Sequence, residues 1–400
     1  MPRALISTIP PISGGVPAML RVVLRLLAER GIESDVAWYE PWSLTPRLSV
    51  PLHRLGTRRV GAERRKVVGA AAGHAIGAWL PELEVTHYRA TPPWRELIAR
   101  ADLHLVVSGT AMAARAFADT GTPFLAWLAS DWDGDRRDRV REFPWHRRLL
   151  DRALVRPLAR RLEPRLLGSG QILALSEPTR RALDTVAGRS VVRAVMPHPI
   201  DLDLFRPDPG AVVPGLVGFV GRFDDPRKNL PLFLDALART RMDGTELRAE
   251  IIGGEPSGGH VEAVDARGLR DAVEFVPCLD RERLAERLRR LDQVAVTSHQ
   301  EGLGIAALEA MASGCPIVST RCGGPEEYVE AGRSGYLTDF DGAEIARRMR
   351  EIALDRNERE RLATGARATI VARYSWPVVR DIFGAALSDF ESAKGKRNSE

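Results

Sequence analysis

Cysteine is scarce in this chain of 400 residues: Cys278, Cys315 and Cys322 are all there are, and none of their spacings suits a metal ion. A reduced cytoplasmic setting is therefore expected rather than a disulfide scaffold, and the three thiols read as small core residues. Long apolar runs are missing as well. No stretch approaches the roughly 18 uninterrupted apolar residues of a membrane span. The N-terminal MPRALISTIPPISGG has prolines where a signal peptide would carry its apolar region, so secretion is not expected. Aromatic residues make up only 6% of the chain, and no nucleic-acid-binding motif accompanies the basic residues, which ranks a nucleic-acid role last. Apolar content is not lacking. At 44% hydrophobic residues, the chain can build cores in two ordinary domains.

Charge is unevenly spread. Residues 1 to 200 hold 30 Lys+Arg against 19 Asp+Glu, and residues 201 to 400 hold 28 against 34, giving +11 and −6 for a total of +5. On charge alone the basic half suits nucleic acid, an anionic membrane surface or a phosphorylated substrate.

Strand and helix patterns alternate. RALIST, an amphipathic helix closing on Gly31, and ESDVAWY open the chain as a βαβ unit; DLHLVVSG to PFLAWLA and GQILALS to SVVRAVMP repeat the pattern. The proline-rich PHPIDLDLFRPDPGAVVPG then interrupts it. After it, GLVGFVGR, LRAEIIGG, VEFVPC, QVAVTS and PIVSTRCGG alternate with helical segments. The expected fold class is α/β: two doubly wound, Rossmann-like domains whose strands end at a central cleft. The expected boundaries are 1–197, a linker at 198–214, a second domain at 215–375, and a C-terminal helix and solvated tail at 376–400.

In FVGRFDDPRKNLPLF, Arg222 follows a strand and Lys228 precedes a helix, so both cations are expected at the strand's carboxyl end. A guanidinium fork and an ammonium point charge suit a diphosphate, whose charge grows as a bond to it breaks; two ordinary surface charges are the plainer alternative. In QEGLGIAALEAM, Gly302 and Gly304 let backbone N–H groups approach an anion at a helix start. Glu309 then falls about 6 to 8 Å into that helix, where a carboxylate can accept both hydroxyls of a ribose. Glu301 precedes the glycines and can accept sugar hydroxyls. Helix-start acids stabilised by the helix dipole are the plainer alternative for both.

Taken in order, FVGRFDDPRKNLPLFLDAL, LRAEIIGG, VEFVPCLDRERLAERLRRLDQVAVTSHQEGLGIAALEAMASGCPIVSTRCGGPEEYVEAGRSGYL and YSWPVV closely resemble the family 4 retaining glycosyltransferases of the GT-B fold. The resemblance covers residues 198 to 376 and is looser from 1 to 197. It implies transfer of a sugar from a nucleotide-diphosphate donor to an acceptor hydroxyl with retention of configuration. Arg222 and Lys228 would hold the diphosphate, Glu301 the donor sugar, and Glu309 the ribose. The backbone of Gly302, Leu303 and Gly304 would meet sugar or phosphate. It also implies that the cations replace a divalent metal, so no metal and no cofactor are expected. Base selection is expected from loop contacts around Val276 to Leu279.

In the first domain, PPISGGVPAML places Gly14 and Gly15 between a strand and a helix, where the resemblance implies contact with the donor diphosphate. Many family members carry a His after the strand that here reads PFLAWLASDWDGD; this chain has Ala129, Ser130 and Asp131. Asp131 is the candidate acceptor-orienting carboxylate, Asp133 its competitor, and a loop acid paired with nearby arginines the alternative for either. From Arg136 to Arg165 there are eleven Arg and four acids, with Leu150, Leu154, Leu158 and Leu162 at helical spacing. Such a helix suits anionic lipid headgroups at the inner membrane face, or an acidic acceptor, while a helix packing Leu inward and Arg outward is the plainer expectation. Trp132 and Trp145 are candidates for stacking on an acceptor. The expected partners are a nucleotide-sugar donor and an acceptor that is a sugar, a lipid-linked sugar or a small molecule. A catalytically weak scaffolding subunit is the competing reading.

Overall fold

The computed structural model describes residues 1–10, 14–136, 140 and 143–398. It divides into two compact units, Met1–His198 with Arg380–Glu400, and Pro199–Val379.

The first unit is built on an eight-stranded sheet. In chain order its strands are β1 (Arg3–Thr8), β2 (Glu33–Tyr39), β3 (Ala62–Arg65), β4 (Ala72–Ile76), β5 (Leu103–Ser108), β6 (Leu125–Leu128), β7 (Gln171–Ala174) and β8 (Val192–Val195). In space they run β3-β4-β2-β1-β5-β6-β7-β8. Every pairing is parallel except β3 with β4. The β3–β4 pair lies outside the motifs expected from sequence, because AERR has no apolar face to mark it. Near-continuous burial along β5, with all six residues LHLVVS inside, is what a strand covered on both faces requires. Leu5, Val106, Ala126 and Ile172 meet in the core with Trp94, Phe117 and Phe124.

The second unit has a six-stranded, wholly parallel sheet of β9 (Leu216–Val220), β10 (Arg248–Ile252), β11 (Val273–Val276), β12 (Gln293–Val296), β13 (Ile317–Thr320) and β14 (Gly335–Thr338). Its order is β11-β10-β9-β12-β13-β14. Register pairs Phe219 with Ile251 and Ala295 with Val318, and these four side chains share one core with Phe233 and Leu237. Strand order reverses between β1 and β5 in one sheet and between β9 and β12 in the other. Doubly wound sheets bind ligands beyond the carboxyl ends of the strands at such a reversal.

Several expectations change. The 198–214 stretch is no free linker: Ile200 and Phe205 are buried, Ile200 bridges to Ser375, and Val213 N–H donates to the Arg290 carbonyl at 2.9 Å. Its apolar side chains are drawn into the second unit because leaving them in water would cost more than ordering the chain. The C-terminal helix runs unbroken from Trp376 to Asn398, so the expected solvated tail is helical for most of its length. Arg380 pairs with Glu29 at 3.0 Å and the Arg30 guanidinium lies over the Phe383 ring, which fastens that helix to the first unit. Cys315 and Cys322 are buried free thiols, but Cys278 is exposed, on the loop after β11.

Candidate functional site

The loops after β9 and β12 flank the strand-order reversal of the second unit. Leaving β9, the chain passes Gly221 (φ 143) and Arg222, makes a tight turn at Pro226–Lys228, and enters the helix Leu230–Met242 through Asn229. Asp225 shapes this turn. Its carboxylate accepts the Arg227 N–H at 3.0 Å and pairs with the guanidinium groups of Arg227 (2.7 Å) and Arg222 (3.2 Å), which hold its pKa below the usual carboxylate range. Gly221 leaves space for Lys228: a Cβ there would sit 3.2 Å from Lys228 Cε.

Leaving β12, the segment Thr297–Gly304 leads into the helix Ile305–Ala312. Lys228 Nζ donates to Glu301 Oε1 at 2.6 Å, and the Ser298 hydroxyl donates to the same oxygen at 2.7 Å. Both members of the ion pair are mostly buried, with 22% and 12% of their side chains accessible. The backbone joins the loops as well. His299 N–H donates to the Arg227 carbonyl at 2.7 Å, and the Thr297 hydroxyl donates to the Asn229 carbonyl at 3.0 Å. Glu301 N–H reaches the Cys322 carbonyl at 2.7 Å, bringing in the loop after β13. Gly304 needs to be glycine twice over: its φ is +79°, and a Cβ would lie 2.8 Å from the buried Tyr328 hydroxyl.

Glu309 lies five residues into the helix. It is buried, and its charge neighbour is the Arg281 guanidinium at 3.9 Å. Burial raises its pKa to about 7, with Arg281 pulling the other way. Arg281 starts the next helix directly after the 276–279 loop, so the stretch expected beside a base adjoins the acid expected beside a ribose. Arg222 is exposed and touches neither acid; it meets Asp225 instead. Sequence reasoning missed Ser298, Asp225 and Arg281, each a side chain that holds or tunes a named candidate. For Ser298 and Asp225 the available signal was their place beside the motifs, in TSHQEG and FDDPRK; for Arg281 it was the helix start just after the 276–279 stretch.

In the first unit, Gly14 (φ 110) and Gly15 stand at the start of the helix Gly15–Ala28 after β1. Asp131 follows β6. Its Oδ2 accepts the Gly134 N–H at 2.9 Å and its carbonyl accepts the Asp135 N–H at 3.1 Å, so it caps the short helix Trp132–Arg136. Asp133 pairs with Arg156 at 3.0 Å and Arg160 at 2.6 Å, as a loop acid beside arginines would. Trp132 is buried against Val155 and Ala159 beneath the Arg136 guanidinium. It therefore offers no face to an acceptor, whereas Trp145 is exposed.

The helical run that includes Trp145 corrects a second expectation. It comprises Trp145–Leu150, a π-helical turn at Asp151–Val155 and Arg156–Ser169. Asp151, Val155, Ala159 and Glu163 face inward, while Leu150, Leu154 and Leu158 face out. Polar anchors decide this. Arg136 pairs with Asp151, and Glu163 accepts the Trp132 N–H at 2.8 Å, its pKa raised by burial to about 8.

A cavity of about 540 Å³ in the first unit, bordered by Gln171, Val192 and Lys394, lies at the opposite, amino edge of β7 and β8. Among the described residues no cluster of His, Cys, Asp and Glu is suited to a metal ion, and no helix is long and apolar enough to cross a membrane.

Two doubly wound α/β units of this kind make up the GT-B fold. A sucrose-phosphate synthase from Thermosynechococcus elongatus superposes with a TM-score of 0.70 at 18% identity, over 98% of this chain and 99% of that one. The Anabaena protein HepE, solved with UDP, gives a TM-score of 0.70 at 17% identity over 97% and 100%. Residues 210–369, within the second unit, match the family model described as Glycosyl transferases group 1. Among curated relatives, a D-inositol 3-phosphate glycosyltransferase of Geodermatophilus obscurus is 32% identical over 258 residues, 57% of this chain and 56% of the relative. Its counterpart in Mycolicibacterium smegmatis is 32% identical over 262 residues, 58% of each. The matched region thus spans a little over half the length of these relatives.

Proposed function

We propose that the protein transfers a sugar from a nucleotide-diphosphate-sugar donor to an acceptor hydroxyl, with retention of anomeric configuration. The observation that carries this reading is the meeting of Lys228 and Glu301 at the strand-order reversal, next to a glycine-flanked helix start that leads to Glu309. Lys228 and Arg222 stabilise the negative charge that grows on the departing diphosphate, a role a divalent metal would otherwise fill. Glu301, positioned by Ser298, accepts hydroxyls of the donor sugar. The Gly302, Leu303 and Gly304 backbone faces sugar or phosphate, and Glu309 accepts the ribose hydroxyls. The relatives named as D-inositol 3-phosphate glycosyltransferases and the HepE structures with UDP and UDP-glucose support a nucleotide-sugar donor.

For the first unit the reading assigns phosphate-facing backbone to Gly14 and Gly15 and an acceptor-orienting carboxylate to Asp131. Front-face chemistry, in which the leaving phosphate itself takes the acceptor proton, needs no further base. The competing reading, a catalytically weak binding subunit, draws on Asp131 being engaged as a helix cap. The reaction is placed at the inner membrane face or in the cytoplasm. Thermal melting with UDP, GDP and ADP tests the donor site, since a ligand that binds the folded chain raises Tm. A rise with one nucleotide, followed by turnover of a matching nucleotide-sugar and product anomers assigned by NMR, is expected. If the folded protein melts unchanged with all three, the donor reading fails.

A further inference from the structure

The helical run from Trp145 to Ser169 turns an apolar band outward, and the proposed reaction makes no use of it. Trp145 is 72% exposed, Leu149 61%, Leu150 42%, Leu154 39% and Leu158 38%. These positions fall on two adjacent rows at four-residue spacing, 145-149 and 150-154-158, so they form one stripe about 20 Å long. The orientation is built in. The inward row is pinned by the Arg136–Asp151 pair and by the Trp132 N–H to Glu163 bond, and rolling the leucines inward would break both.

Along the run itself the surface charge has one sign. Between Trp145 and Arg165 there are seven arginines and two acids, and both acids, Asp151 and Glu163, are buried. Arg156 and Arg160 share Asp133, whereas Arg148, Arg152, Arg161 and Arg165 have no ion pair among the described residues. We infer that this stripe is a docking surface for an anionic lipid bilayer, with Trp145 and the leucines entering the headgroup boundary and the flanking arginines meeting lipid phosphates. An interfacial helix has this composition: an apolar face, an Arg-rich margin and an indole at the boundary. A second copy of the chain fits less well, because pairing two such stripes would bring arginines against arginines.

Full-length protein is sedimented with vesicles of phosphatidylcholine alone, and with vesicles containing about a third phosphatidylglycerol. Binding is expected to the anionic vesicles and not to the neutral ones, and to weaken with salt. Leu150→Ser/Leu154→Ser/Leu158→Ser is expected to reduce partitioning about tenfold or more, and each of Arg148→Ser, Arg152→Ser and Arg161→Ser about fivefold. Trp145→Ser/Leu149→Ser, at the two most exposed positions of the stripe, repeats the test should the triple variant not fold, with circular dichroism as the check. The inference is overturned if the wild type stays in the supernatant with anionic vesicles, or if a folded stripe variant binds as well as wild type. It is equally overturned if light scattering shows a dimer that the stripe variants dissociate while vesicles capture nothing.

Discussion

At the carboxyl edge of the second sheet, the loops after β9, β12 and β13 are stitched together through backbone groups, from His299 to Arg227 and from Glu301 to Cys322. Its candidate acids, Glu301 and Glu309, meet cations from other segments, Lys228 and Arg281. At the carboxyl edge of the first sheet, Asp131 and Asp133 are occupied within their own segment, one as a helix cap and the other by two arginines. The second edge is preorganised around charges that a ligand can take over, whereas in the first the acids mainly shape the loop that carries them. Rigid backbone supporting exchangeable side-chain partners is what transition-state stabilisation requires.

The sharpest way to break this contrast is Arg222→Ala/Lys228→Ala. Removing both cations is expected to lower turnover about a thousandfold or more, measured with saturating nucleotide-sugar, while circular dichroism shows the fold retained. Wild-type turnover in the double variant would dismiss the leaving-group role.

Glu309→Ala is expected to weaken nucleotide binding by about 1.5–3 kcal/mol in calorimetry and to leave the chemical step nearly intact. An equal loss in turnover at saturation would move Glu309 from binding to chemistry.

A pH series sharpens the same residue. With its pKa raised to about 7, Glu309 is protonated in the folded protein over a range where the unfolded chain has released the proton. Its contribution to folding stability is therefore full below the ordinary glutamate value and is lost as pH rises from there through about 7. Donor hydroxyls need the carboxylate, so nucleotide affinity runs the other way and is expected to increase from pH 6 to pH 8. Glu309→Gln is expected to flatten that increase, and an unchanged slope would assign it to another group.

The smallest expected effects test the first unit. Asp131→Ala removes a helix cap and is expected to cost about 1 kcal/mol in denaturant unfolding, against about 0–1 kcal/mol for Asp133→Ala at its exposed arginine pairs. A turnover loss for Asp131→Ala that far exceeds this stability loss would place the carboxylate beside the acceptor.

Much of the second unit was legible because its candidates are tied to local sequence. Arg222 follows a strand, Lys228 ends a turn before a helix, and Glu301 to Gly304 precede another, so chain order alone puts them on one sheet edge. The partner of Lys228 was not legible, since the 2.6 Å contact spans 73 residues and depends on β9 pairing with β12. The Arg-rich run misled for a definite reason. Leu150, Leu154 and Leu158 share their spacing with Asp151, Val155 and Ala159, so periodicity could not choose between the rows. Two buried acids with specific partners decided the matter, and hydrophobicity assigns acids to the surface.

The π-helical turn at Asp151–Val155 governs the geometry of that run. In a regular α-helix a four-residue step overshoots a full turn by about 40°, so a row at that spacing winds gradually around the axis. The wider turn takes up this drift midway and keeps Leu150 and Leu158 on one side, acting as a phase corrector. Deleting Ala153 would return the turn to regular α-helix with the Trp145 and Leu158 ends still in phase, because the loss of one residue's rotation of about 100° offsets the loss of the wider turn.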